Sequence, residues 1–230
     1  RCGNTSASCT QTITTLTGCI NVEAWVYLEG SSVDRGGTKT YSLPMRTDLN
    51  DLHVLPGQSY EDFLSSTGSN YTPAGQPYNI FPWNYNGTEG SGYDSMGDFS
   101  NGSAGYPSTV VDWVLVSLRD TPDGTGGPIC RKAALLHKDG TIEFVNGGFN
   151  CCDVDLAKSY YLVVEHRNHL IIMSDIAIPI VNGKITYDFR DRQSYIDDEF
   201  GLGIFAGQKE ILPGKFAMFA GNGNQSLNNQ

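Results

Sequence analysis

The chain has 230 residues, of which 39% are hydrophobic and only 17% charged, with 27 glycines and a net charge of −10. This balance argues against a helical, charge-rich enzyme and against a nucleic-acid partner, because phosphate binding needs a basic patch. No apolar run reaches the ~18 residues of a spanning helix, so no membrane span is expected.

The first residues, "RCGNTSASCTQTITTLTGC", are polar and rich in threonine. They read as an N-terminal arm over 1–19, and the start at Arg1 without a signal-peptide pattern reads as a processed end. Next comes "INVEAWVYLEG". Val22, Ala24, Val26 and Leu28 alternate there with Glu23, Trp25, Tyr27 and Glu29, the period-two pattern of a strand. "MRTDLNDLHVLP" predicts one short helical turn. Residues 56–107 form a long irregular stretch dominated by Gly, Pro, Asn and aromatics. Such a loop in a compact domain is functional or held by its own packing, and its aromatics argue against disorder.

Strands then follow quickly. "TVVDWVLVSLRD" leads, and "CRKAALLHKDGTIEFVNGG" predicts a hairpin turned at Asp139-Gly140. "SYYLVVEHRNHLIIM" reads as one strand, with Asn168 as a possible turn, and "IAIPIVNGKITYDF" as a hairpin turned at Asn182-Gly183. "RDRQSYIDDEFG" reads as a loop or short helix. The expectation is one all-β domain over residues 1–230: a β-sandwich with hairpin or Greek-key connections and a long aromatic-rich loop.

Six cysteines, Cys2, Cys9, Cys19, Cys130, Cys151 and Cys152, are an even set in a Gly-rich β chain. They predict disulfides and an extracellular or cell-surface location. "CC" suits zinc poorly, and no CxxC pair exists. About 15 pairings are possible. Cys151 and Cys152 are expected to take different partners, since a vicinal disulfide strains its peptide. Bonds from the arm to the 130–152 region are the favoured arrangement.

Six short motifs stand in this order along the chain: "VEAWVYLEG" at 22–30, "LPM" at 43–45, "VDWVLVSLRD" at 111–120, "CRKAALLHKDG" at 130–140, "VVEHRNHLIIM" at 163–173 and "GKFAMFAGNGN" at 214–224. From about residue 20 to its end the chain thereby resembles a secreted surface-protein module of Bacteroidota. That module occurs in adhesin- or hemagglutinin-like cargo of the type IX secretion system. The resemblance implies an exported, non-enzymatic, cell-surface protein. In that module the end resembles the start of a calcium loop. Here Asn222 and Ser226 stand where carboxylates would be, which weakens a calcium site.

Candidate chemistry is sparse. Asp112 is an acid at the head of an apolar stripe with Val114, Val116 and Leu118, while Val111, Trp113, Leu115 and Ser117 face the other way. It reads as a structural carboxylate taking backbone or Arg/His hydrogen bonds, with general acid–base work as the rival. His166 and His169 have metal-pair spacing only on a helix. On a strand they diverge, and their expected role is to hydrogen-bond a turn, with Asp112 as a partner. No nucleophile elbow, P-loop or dinucleotide motif occurs, and no metal or cofactor is expected. The acids Asp188, Asp191, Asp197, Asp198 and Glu199 read as a solvated loop neutralised by Arg190 and Arg192.

The aromatic loop is the most suggestive surface. Tyr71, Tyr78, Phe81, Trp83, Tyr85 and Tyr93 suit sugar stacking, a protein interface, or a cover folded over the chain's own sheet. Sequons stand at Asn4, Asn70, Asn86, Asn101 and Asn224, and Asp94-Ser95-Met96 resembles a Bacteroidota O-glycosylation signal at Ser95. The expected function is a structural or adhesive surface protein that self-associates or binds a cell-surface glycan or protein. A carbohydrate-binding module and a secreted hydrolase are the alternatives.

Overall fold

The computed structural model describes residues 17–34, 36, 40–60, 70–71, 73–91, 93, 105–123, 125–145, 147–196 and 207–221. Cys2, Cys9, Ser95, Asp197, Asp198, Glu199, Asn222, Ser226 and nearly all of the arm lie outside them.

The fold is all-β and sandwich-like. Strand β1 (Thr17–Trp25) buries alternate residues, as a strand with one face on a core must. It does not run on to residue 29. The chain turns after Trp25 into a one-turn helix α1 (Glu29–Ser32), and a second, α2 (Asp48–Asp51), falls within the predicted helical turn. The long loop contains a two-residue pair, β2 (Ser59–Tyr60) with β3 (Asn70–Tyr71).

Strand β4 (Val110–Arg119) is buried along nearly its whole length on both faces, which is why its sequence shows an apolar run rather than alternation. It lies between β5 (Cys130–His137) and β8 (Ser159–His166), antiparallel to both. β6 (Ile142–Glu143) pairs with β5, and β7 (Cys151–Asp155) crosses to the other sheet. β9 (His169–Met173) and β10 (Ile178–Pro179) both pair with β8. β11 (Lys184–Asp188) joins β1 in parallel, and β12 (Gln208–Leu212) and β13 (Lys215–Met218) form a hairpin.

The large sheet has the order β10-β8-β4-β5-β6 and the small one β11-β1-β7. Three consecutive strands, β4, β5 and β6, with β8 returning beside the first, make a Greek-key order. Between the two sheets lies the main core, including Ile20, Val22, Val116, Leu136, Leu162 and Ile185. A second core sits on the opposite face of the large sheet. There Trp113, Leu115, Ala133 and Leu135 are covered by Leu55 and Tyr78 from the long loop.

Three sequence readings are corrected. The run 159–173 is a hairpin turning at Arg167-Asn168, not one strand, with His166 opposite His169. Asn182 and Gly183 do form a turn with both residues at positive φ, the geometry Asn-Gly favours. Yet the flanking strands separate, β10 to the large sheet and β11 to the small one. Finally, the β4–β5 register shifts between Val110 and Asp112, so Val111 faces the main core with Val114 while Val110 joins Trp113.

Candidate functional site

The disulfides explain the adjacent cysteines. Along β7, Cys151 points inward and is buried, while Cys152 points outward. Cys151 bonds Cys130 of the large sheet and so staples the two sheets together. Cys152 bonds Cys19 on the neighbouring strand β1, 133 residues away in sequence.

Asp112 is 1% exposed and held by three residues. The Trp113 amide donates to Oδ1 (2.8 Å), and His166 Nε2 donates to Oδ2 (3.0 Å). Arg167 grips both oxygens, Nη2 to Oδ1 at 2.9 Å and Nε to Oδ2 at 3.2 Å. Burial works against the charged carboxylate, but the His166 hydrogen bond and the Arg167 charge outweigh it and hold Asp112 below the usual carboxylate range. Burial works against Arg167 too, and Asp112 reverses that effect, keeping the guanidinium charged.

The two histidines continue the chain of bonds. The Gly30 amide donates to His169 Nε2 (3.2 Å), so the neutral ring carries its proton on Nδ1. That proton meets His166 Nδ1 (2.9 Å), which also accepts the Asn168 amide, and this leaves the His166 proton on Nε2 facing Asp112. Burial, then the neighbouring His166, push the His169 pKa down to about 3.

Close by, Glu29 accepts Tyr41 Oη, Lys209 Nζ and the Ala220 amide. Burial opposes its charge, but the Lys209 and Tyr41 bonds prevail and lower its pKa. Arg46 Nη2 binds the Gly30 carbonyl, and Asn168 O accepts the Gly221 amide. Segments around residues 29, 46, 112, 167, 209 and 220 thus meet in one polar junction. Sequence reasoning singled out Asp112, His166 and His169 but missed Arg167 and Glu29. The signal for Arg167 was its place between the two histidines.

A second arrangement has the order nucleophile, base, acid. Thr109 Oγ1 lies 2.8 Å from His137 Nδ1, and His137 Nε2 lies 2.7 Å from Glu143 Oε2. An acyl-transfer site also needs backbone donors aimed at an oxyanion. Here the nearby amides are engaged: Val110 with Pro107 O, His137 with Thr141 O, Lys138 with Thr109 O, Gly140 with His137 O and Thr141 with Asp139 Oδ1. Glu143 is half exposed, so its orienting effect on the ring is weak.

The aromatic loop folds onto the outer face of the large sheet. Tyr78 is fully buried, donates to the Trp113 carbonyl (2.7 Å) and stacks edge-on with Trp83, so it offers no face to an external ligand. Tyr93 stacks on Tyr106, whose hydroxyl accepts Trp113 Nε1 and donates to Pro56 O. Tyr85 Oη donates to Glu89, and burial raises its pKa. Phe81 is 74% exposed beside exposed Ile80. Only the backbone of Tyr71, paired with Ser59, is described.

Of the described acids in the 188–199 run, Asp188 pairs with Arg190 and Asp191 with Lys215, while Arg192 lies over the Tyr187 ring. Among the described residues no three His, Cys, Asp or Glu side chains converge as a metal site, and no helix is long and apolar enough to cross a membrane. Comparison with protein-family models, curated proteins and solved structures found no match to this chain.

Proposed function

We propose that this chain is a non-enzymatic, extracellular structural or adhesive protein of a cell surface that associates with its own copies. One observation carries the reading: the residues best suited to chemistry are spent on one another. Asp112 meets four donor atoms from three residues, and both histidines are locked in single tautomers by backbone amides. A general base needs a free lone pair facing a substrate, and this junction uses its lone pairs to tie segments together.

Two further facts support the setting. The two disulfides suit an oxidising compartment. The motifs behind the resemblance to the Bacteroidota module also meet in space: Leu28 donates to Met45, Gly30 to His169, Ala220 to Glu29, and Asp112 holds Arg167.

Electron microscopy of the protein as released from cells, without reductant, tests the reading. Regular fibres or lattices are the expected result. Dispersed monomers at high concentration would overturn self-association and leave the second reading, a glycan-binding module, which exposed Phe81 and Ile80 favour.

A further inference from the structure

Beside the loop cover, the outer face of the large sheet holds an unusual set of charges. β4, β5 and β8 lie side by side, with Ser117 opposite Arg131 and Val163, Leu115 opposite Glu165, and Arg119 two residues beyond Ser117. The period of two puts Ser117, Arg119, Arg131 and Glu165 on one face. They sit at the end of the stripe that Trp113 and Leu115 begin. There Trp83, Pro82, Pro128, Arg119, Arg131, Glu165 and Ile171 enclose a hollow of about 180 Å³.

The hollow carries more positive charge than its own acid balances. Two guanidiniums face one carboxyl, and the Arg131–Glu165 distance of 3.9 Å is too long for a hydrogen bond. Among the described residues, buried Nε atoms of both arginines and the fully buried Ser117 Oγ have no hydrogen-bond partner. Arg131 is fixed by Nη1 on the Trp83 carbonyl (2.8 Å) and by stacking over Tyr85, so its charge is preorganised. No side-chain hydrogen bond of Arg119 is formed at Nε among the described residues. Burial raises the Glu165 pKa against the pull of both arginines. In a chain of net charge −10 this is a place built to attract an anion.

We propose that this hollow binds an acidic sugar residue of a surface glycan, its carboxylate on Arg119 and Arg131 and its hydroxyls on Glu165. The presence of Glu165 selects the ligand. A bare carboxylate would pair the arginines but leave Glu165 without a donor, whereas a uronic acid brings both an acceptor for the arginines and hydroxyl donors for the acid. Trp83 and Pro82 give the sugar ring an apolar wall, and the volume suits one ring. The proposal deepens the adhesive side of the functional reading and shares its premise of an extracellular chain. Its chemistry does not depend on self-association.

The test is titration of the purified full-length, oxidised protein with methyl glucuronide, methyl glucoside and acetate, followed by tryptophan fluorescence and calorimetry. The uronide should bind saturably, and the glucoside and acetate at least tenfold more weakly. Arg119→Gln should weaken uronide binding about tenfold or more through loss of a charge-assisted contact, with the thermal midpoint unchanged. Arg131 is the poorer probe because it also holds the Trp83 backbone. Equal binding of uronide and glucoside, no binding of either, or an unaffected Arg119→Gln variant would overturn the site. Binding of an acidic peptide in place of the uronide would overturn the sugar and point to a protein partner. Fibres without uronide binding sink this site and leave the structural reading, while uronide binding by dispersed monomers does the reverse.

Discussion

The two faces of the large sheet are built from different materials. The inner face is aliphatic, packs on a second sheet, and is stapled across by Cys130–Cys151. The outer face is aromatic and polar, and its cover is a loop whose rings hydrogen-bond the sheet's backbone, as Tyr78 does at Trp113. The inner face is a sealed core. The outer face changes along β4 from sealed at Trp113 to open and charged at Arg119. In this protein one side of the strand is sealed scaffold, and the other opens into the charged hollow proposed above as a binding site.

The largest effect should come from the junction at the edge of both faces. Asp112→Ala leaves the buried His166 and the partly buried Arg167 without their acid and should cost about 3–5 kcal/mol, measured by guanidinium unfolding. A loss below about 1 kcal/mol would mean the junction is not what holds these segments together. Acid should act on the same place. His169 has a folded pKa of about 3 against an ordinary 6.5, so the unfolded chain takes up the proton first. Its contribution is fully present above pH 6.5. It is lost as pH falls from 6.5 toward 3, by about 1.4 kcal/mol per pH unit over that window. Asp112, whose pKa is lowered, adds a further loss at the acid end of the range. His169→Gln should flatten the stability profile between pH 6 and pH 4, and an unchanged slope would move the effect to other groups.

The small sheet should respond next, through the bond on its outward side. Cys19→Ser with Cys152→Ser removes a bond that closes a long segment of chain and should lower stability by about 2–4 kcal/mol. The urea midpoint checks this, and the loss should leave the outer cover intact.

Legibility in the sequence follows the same division. β1 announced itself because only one of its faces is buried, so apolar and polar residues alternate from Ile20 to Trp25. The different fates of Cys151 and Cys152 also follow from that alternation. The hairpin at Arg167-Asn168 was only half legible: Asn168 hinted at a turn, but no glycine fixes it there. It is set by distant partners instead, Asp112 for Arg167 and Gly221 for Asn168. The register shift at Val110–Asp112 misled the face assignment of Val111 for the same kind of reason, since a bulge leaves no composition mark. The charged hollow was illegible: Arg119, Arg131 and Glu165 come from three strands, and only the sheet order makes them neighbours.

The outer cover should give smaller effects. Tyr78→Phe removes one buried hydrogen bond to the Trp113 carbonyl and should cost about 1 kcal/mol. Its signature is faster proteolysis of the loop with little change in the global transition; a loss as large as that of the disulfide would make the cover part of the main folding unit.

Phe81→Ala should be the smallest and the most telling change. The ring is 74% exposed, so stability should move by no more than about 0.5 kcal/mol. An exposed aromatic costs nothing to remove from the monomer but a good deal to remove from an interface, where such rings are enriched. If fibres form in the parent protein and fail in Phe81→Ala at equal stability, the rim of the outer face is the contact between copies. If fibres persist unchanged, the contact lies elsewhere and Phe81 remains free beside the charged hollow.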